Sequence, residues 1–179
     1  MTRDGQRQIL SFLLPGDPVT PLCIAGKSVP FGVQAITEMA VCSFPRAQFE
    51  EQAFLQSKVL AAMKSVLSYE DLKADQRIVD LGRRTAVERI SRFLLEVWQN
   101  LKIRGFTKGA KFEFPLRQTH LADAFGLTPV HVSRVMSDLR RKKLIEFSRE
   151  TMTILNANGL AAVAGCREDD LPVLQAAFH

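Results

Sequence analysis

The sequence predicts an α+β chain in three parts: short strands in the first fifty residues, a long helix, and a C-terminal helix-turn-helix closed by a β-hairpin. Three observations carry that reading. The start is filled by short apolar runs punctuated by proline and glycine. Residues 46–81 place apolar side chains at helical spacing. The stretch "DAFGLTPVHVSRVMSDLRRKKLI", residues 123–145, sets a glycine and then a proline ahead of an amphipathic, increasingly basic run.

Composition narrows the class. The 179 residues suffice for one medium domain or two small ones, and 46% hydrophobic with 24% charged residues allow a packed core. The longest apolar runs, such as residues 160–164, fall far short of the ~20 residues a membrane span needs. The polar start "MTRDGQRQ" has no apolar stretch behind a charged end, so a cytoplasmic location is expected, with no membrane partner. Charge divides by region: residues 1–81 hold 8 Lys+Arg against 9 Asp+Glu, residues 82–179 hold 16 against 10. The entire excess of +5 therefore sits in the second half, where a polyanion is a natural partner. Cys23, Cys42 and Cys166 are widely spaced, which gives no support to a zinc or iron–sulfur site; they read as small buried hydrophobes.

Element by element, residues 9–14 (ILSFLL) predict a strand stopped by the turn Pro15-Gly16-Asp17-Pro18. Residues 31–36 and 39–44 predict two more. These strands are too few to close a barrel or sandwich of their own. Leu60, Met63, Leu67, Ala74, Ile78 and Leu81 then form one stripe on a helix of about thirty residues, roughly 45 Å long. Such a stripe pairs with its twin in a dimer or packs on the β segment of the same chain. Gly82 is expected to end that helix. Residues 85–101 form the next, with Val87, Ile90, Phe93, Leu94, Val97, Trp98 and Leu101 inward, followed by a short β-like KFEF at 111–114.

A helix-turn-helix needs a small residue inside its first helix, a glycine in the turn, and apolar sites that hold the pair together. With Gln118 first, Leu121 is apolar at the fourth position, Ala122 small at the fifth and Gly126 in the turn. Phe125 and Leu127 flank that turn, and Val132 and Val135 fall at the fifteenth and eighteenth positions. Thr128 can cap the second helix, residues 128–142, with Pro129 at its first position. Its outward face is then Pro129, Val130, Ser133, Arg134 and Ser137, small residues around one arginine. On a helix in a major groove, Arg134 could reach O6 and N7 of guanine and Val130 a thymine methyl, beside Ser133 and Ser137. Gln118 and Thr128, at helix N-termini, and Arg140 and Arg141, in the basic run, are candidate phosphate contacts. The hairpin of residues 144–147 and 152–155 completes a winged helix. The plainer alternatives are a basic run that complements a helix C-terminus and an Arg134 held in a surface ion pair. His120, His131 and His179 are scattered, and neither a catalytic triad nor a glycine-rich phosphate loop is visible, so no enzyme is expected.

Strand, "PGD" turn, strands, long helix, "GRRTAVERISRFLLEV" and then "LRQTHLADAFGLTPVHVSRVMSDLRRKKLIEF" together resemble the Crp/Fnr superfamily of bacterial transcription regulators, most specifically over residues 82–155. The resemblance implies an α+β fold with a cyclic-nucleotide-binding-like β-roll, a long dimerisation helix and a C-terminal winged helix-turn-helix. On that plan residues 1–50 are a partial β-roll, 51–81 the dimerisation helix, 82–158 the DNA-binding domain, and 159–179 a C-terminal helix and tail. It implies a homodimer on a palindromic operator in double-stranded DNA, with RNA polymerase as a further partner; the alternative is an interaction partner that heterodimerises with a full-length relative. Arg134 matches the family's base-reading arginine and Thr128 a phosphate-contacting position. The chain begins where the family's β-roll is half built, an N-terminally short member with a misplaced start or a dependence on its dimer partner. Thr20-Pro21 and Val29-Pro30 stand where cyclic-nucleotide binders carry Gly-Glu and Arg-Ser/Thr, so cyclic AMP is not expected. The cysteine cluster of the oxygen sensors is missing, so neither is an iron–sulfur cluster.

Overall fold

A computed structural model of the chain describes residues 7–19, 31–43, 45–167 and Leu171. Cys23, the pairs Thr20-Pro21 and Val29-Pro30, Phe44 and the acidic residues 168–170 lie outside the described residues.

The expected strands at 9–14, 31–36 and 39–43 are not formed. Strand propensity becomes a strand only when a neighbouring chain completes the ladder. Ile9 instead donates its N–H to the carbonyl of Asp123, 3.1 Å away, and residues 31–43 are exposed throughout, Val33, Met39 and Val41 included. Cys42 lies in that uncovered stretch and is exposed, against the expectation of a buried thiol; Cys166 is half-buried. The turn at Pro15-Gly16 does form, closed by Asp17 N–H to Leu14 O at 2.9 Å with Gly16 at φ 90°.

The single long helix is in fact two, α1 (Arg46–Leu55) and α2 (Ser57–Arg83), separated at an extended Gln56. Gly82 does not end α2. A glycine in a helix costs about 1 kcal/mol relative to alanine, and here Arg84 offsets that cost by pairing with Asp80 and donating its N–H to the Asp80 carbonyl. The stop comes instead at Arg84, whose extended backbone leads into the cap of α3 (Ala86–Ile103). That cap is a reciprocal box: Thr85 Oγ1 accepts from Glu88 N–H and Glu88 Oε2 accepts from Thr85 N–H at 2.6 Å. Those bonds hold the Glu88 carboxyl below its ordinary range.

One face of α2 packs on its own chain. Tyr69 and Lys73 are buried, and the Tyr69 hydroxyl donates to Asn100 Oδ1 of α3 at 3.2 Å. Opposite them on α3 lies Glu96, whose carboxyl is pushed up by burial while Lys73, Arg77 and Arg92 pull it back. At 100° per residue, Leu60, Met63, Leu67, Ala74 and Ile78 span about 60° on the far side of the helix. Met63 is half-buried, while Leu60, Leu67, Ala74 and Ile78 are exposed, Ile78 at 70%. The stripe is therefore not covered by the β segment of the same chain, because α2 turns its other face inward.

The C-terminal domain continues with β1 (Thr107–Lys108), β2 (Lys111–Glu113), α4 (Gln118–Phe125), α5 (Pro129–Arg141), β3 (Ile145–Ser148), β4 (Thr151–Ile154) and α6 (Ala157–Ala164). The sheet runs β1-β2-β4-β3, antiparallel throughout. Its core joins Ile90, Leu94, Leu95 and Trp98 of α3 to Leu121, Val132, Leu139, Ile145, Met152 and Leu160. Val87 and Phe93, expected inside, are half-buried, and Leu95, not expected there, is fully buried. A Cβ at Gly159 would sit 2.8 Å from Leu144, so this glycine lets α6 approach the entry to the hairpin. Among the described residues, no helix is long and apolar enough to cross a membrane.

Candidate nucleic-acid interface

The helix-turn-helix forms where the spacing places it. α4 ends at Gly126, whose left-handed backbone (φ 63°) closes the helix with its N–H on Ala122 O. A side chain there would be strained, which explains the glycine. Thr128 caps α5, its hydroxyl accepting from His131 N–H at 3.2 Å, and Pro129 opens the helix. Val132, Val135, Met136 and Leu139 turn inward and are buried. α3 supports the turn directly: Arg89 Nη1 donates to the Phe125 carbonyl at 3.0 Å, and Phe93 meets Phe125 edge to face at 5.4 Å.

The opposite face of α5 is open. Pro129, Val130, Arg134, Ser137, Arg140 and Arg141 are exposed, Val130 at 62%, and Ser133 is half-buried. Among the described residues, Arg134 makes no hydrogen bond or ion pair, unlike the surface-pair alternative. Arg141 does have such a partner, Asp138 at 2.7 Å, but both side chains are largely in water and the pair is weak.

The predicted residues fall into two neighbouring depressions. Gln118, Ser133, Ser137 and Arg140 line a groove between α4, α5 and the hairpin, floored by Phe114, Leu121, Met136 and Phe147. Thr128, Val130 and Arg134 line a second, along the first turns of α5, with His131 and Asp138. Arg141 lies in neither. Two cations that sequence reasoning missed complete the first groove: Arg117, just ahead of α4, and Arg149, in the two-residue turn between β3 and β4. Arg149 holds a left-handed backbone (φ 54°) without being glycine. The signal available was charge alone, a basic residue at the cap of one helix and at a hairpin tip. His120, read from the sequence only as one of three scattered histidines, lies beside Arg117: its Nδ1 accepts the Arg117 N–H at 3.2 Å. Burial, then the nearby Arg7 and Arg117, lower its pKa below 6.5.

A basic, concave face over an α-helix whose free arginine stands among small side chains suits nucleic acid, and comparison with known proteins agrees. Residues 88–163 match the Crp-like helix-turn-helix domain. The nitrogen fixation regulation protein FixK of Bradyrhizobium diazoefficiens is 32% identical over 163 residues, covering 90% of this chain and 67% of its own. The chain belongs to the Crp/Fnr superfamily. FixK of Rhizobium meliloti is 33% identical over 84% of this chain and 64% of its own length. The transcriptional activator FnrA of Stutzerimonas stutzeri is 28% identical over 92% and 67%. The solved structure of FixK2 from Bradyrhizobium japonicum superposes with a TM-score of 0.56 at 25% identity, over 66% of this chain and 58% of that one. The chain thus spans about two thirds of the length of these curated relatives. Crp/Fnr proteins are DNA-binding transcription regulators, not enzymes, and the α+β architecture with its C-terminal winged helix-turn-helix is theirs.

Proposed function

We propose that this Crp/Fnr protein is a homodimeric regulator that reads a palindromic operator in the cytoplasm. The free Arg134, exposed on a well-capped helix with its neighbours cut down to Val130, Ser133 and Ser137, carries the reading. Those four residues meet base edges, while Gln118, Thr128, Arg140, Arg141 and the newly recognised Arg117 and Arg149 hold phosphates. The four arginines among them would make affinity fall with salt. The uncovered stripe of Leu60, Met63, Leu67, Ala74 and Ile78 supplies the dimer seam. Two copies joined there present two α5 helices, which read half-sites one helical turn, about 34 Å, apart. The relatives' names as transcriptional activators support RNA polymerase as the further partner. No cofactor is assigned, and neither cyclic AMP nor an iron–sulfur cluster is expected.

Selection of bound duplexes from a random pool, followed by sequencing, tests the reading. A recurring inverted repeat with half-site centres about one turn apart is expected. Recovery of unrelated sequences, or of a single unpaired motif, would contradict it.

A further inference from the structure

We propose that residues 7–17 form a strap that fixes the orientation of the helix-turn-helix on α2, and with it the spacing of half-sites the dimer accepts. The proposal rests on the dimeric reading above and adds the element that sets its geometry.

The strap is held at both ends. At its C-terminal end, Asp17 pairs with Arg104 just past α3 at 2.7 Å, their side chains only 2% and 11% exposed. Arg104 also donates to the Pro15 carbonyl at 2.8 Å. The same guanidinium reaches Asn100 Oδ1 at 3.5 Å, and Asn100 accepts the Tyr69 hydroxyl of α2. A continuous chain of polar contacts thus runs from Asp17 through α3 into the long helix. At the N-terminal end, Arg7 pairs with Asp123 at 2.6 Å. Ile9 N–H donates to the Asp123 carbonyl at 3.1 Å, and the Gln8 side-chain amide to the Ala124 carbonyl, also at 3.1 Å. Between the two ends, Phe12 lies 5.3 Å from Phe93, which in turn meets Phe125 beside the turn, and Leu14 packs on the core.

The contacts at α4 are of a particular kind. The last carbonyls of a helix have no partner within it, and α4 is only 8 residues long, too short to be stable without outside support. The strap supplies donors to two of those carbonyls and a cation to the negative end of the helix. One segment therefore caps the first helix of the DNA-binding unit and is anchored to the network that ends on the dimerisation helix. Release of the strap leaves α5 folded on its core but free to change its angle to α2.

Two measurements on the full chain test this. Amide exchange at Ile9 and across residues 118–125 reports whether the strap is seated. Affinity for the selected palindrome, divided by affinity for a duplex carrying one half-site, reports orientation. The exposed double variant R7Q/Q8A leaves the buried core untouched. It should speed exchange across 118–125 by about fivefold, the effect of losing a helix cap. It should also lower the palindrome-to-half-site ratio several-fold with half-site affinity unchanged, and D17N should act more strongly in the same direction. Unchanged exchange in α4 would overturn the strap, as would faster exchange with an unchanged ratio where the wild-type chain prefers the palindrome. If the wild-type chain shows no preference for the palindrome, the dimeric reading fails. Exchange still decides the strap in that case: an unprotected Ile9 amide overturns it, while loss of α4 protection in R7Q/Q8A retains it.

Discussion

Residues 31–43 and residues 86–101 are both rich in apolar side chains, yet the first stretch is exposed along its whole length and the second forms the middle of the core. The difference lies in where the partners come from. A helix makes its own backbone hydrogen bonds and needs only one side covered; α3 finds that cover in α5, α6 and the sheet. An extended stretch must borrow both its hydrogen bonds and its cover from other chain segments. Apolar content alone therefore says little about burial; self-sufficiency of the backbone says more.

The largest effect expected from this contrast is in stability. Leu139→Ala, at a fully buried site in α5, should lower unfolding free energy by about 2–5 kcal/mol in denaturant titration. Val41→Ala, an identical kind of truncation in the exposed segment, should stay within about 0.5 kcal/mol. Comparable losses would show that residues 31–43 are covered in solution. Next comes the exposed stripe of α2. L67D/I78D should weaken self-association at least about tenfold, or 1.4 kcal/mol, in sedimentation equilibrium, while near-UV signals of the C-terminal domain persist. A monomeric wild-type chain would remove this seam from the account. A smaller change is expected at the junction of the two helices: Thr85→Ala, which dismantles the capping box, should cost about 1 kcal/mol, read as a shift of denaturation midpoint.

The smallest effect is a pH response within α4. His120 accepts a hydrogen bond through Nδ1 and has its pKa lowered by burial, then by Arg7 and Arg117. Protonation is thus easier in the unfolded chain, so the contribution of this site is complete above pH 6.5 and is lost as pH falls through the lower folded value. An NMR titration should place the His120 ring below 6.5; a midpoint above that value would contradict the contact.

The legible parts of the sequence were those governed by short-range rules. Gly126 at the ninth position counted from Gln118, the Thr128-Pro129 start and the hairpin after α5 are all constraints within a few residues, and each was read correctly. The break at Gln56 and the passage of α2 through Gly82 were not; at Gly82 the Arg84–Asp80 pair just beyond it carries the helix on. Arg92, Glu96 and Asn100 on α3 were also missed as interior residues. Glu96 faces Lys73 and Arg77 of α2 and Asn100 accepts the Tyr69 hydroxyl, partners about twenty residues or more away in sequence that make the polar seam tolerable. At the candidate interface, the helix face was readable from periodicity, whereas Arg117 and Arg149 joined it only once the hairpin was seen beside α4.

The most direct test of the central claim compares wild type and Arg134→Ala on the selected palindrome and on a scrambled duplex of equal length, across a salt series. A base-reading Arg134 predicts a loss of about 1–3 kcal/mol on the palindrome, little change on the scrambled duplex, and a salt slope nearly unaltered on the palindrome. Equal losses on the two duplexes, with a shallower slope on both, would make Arg134 a phosphate contact and contradict the account.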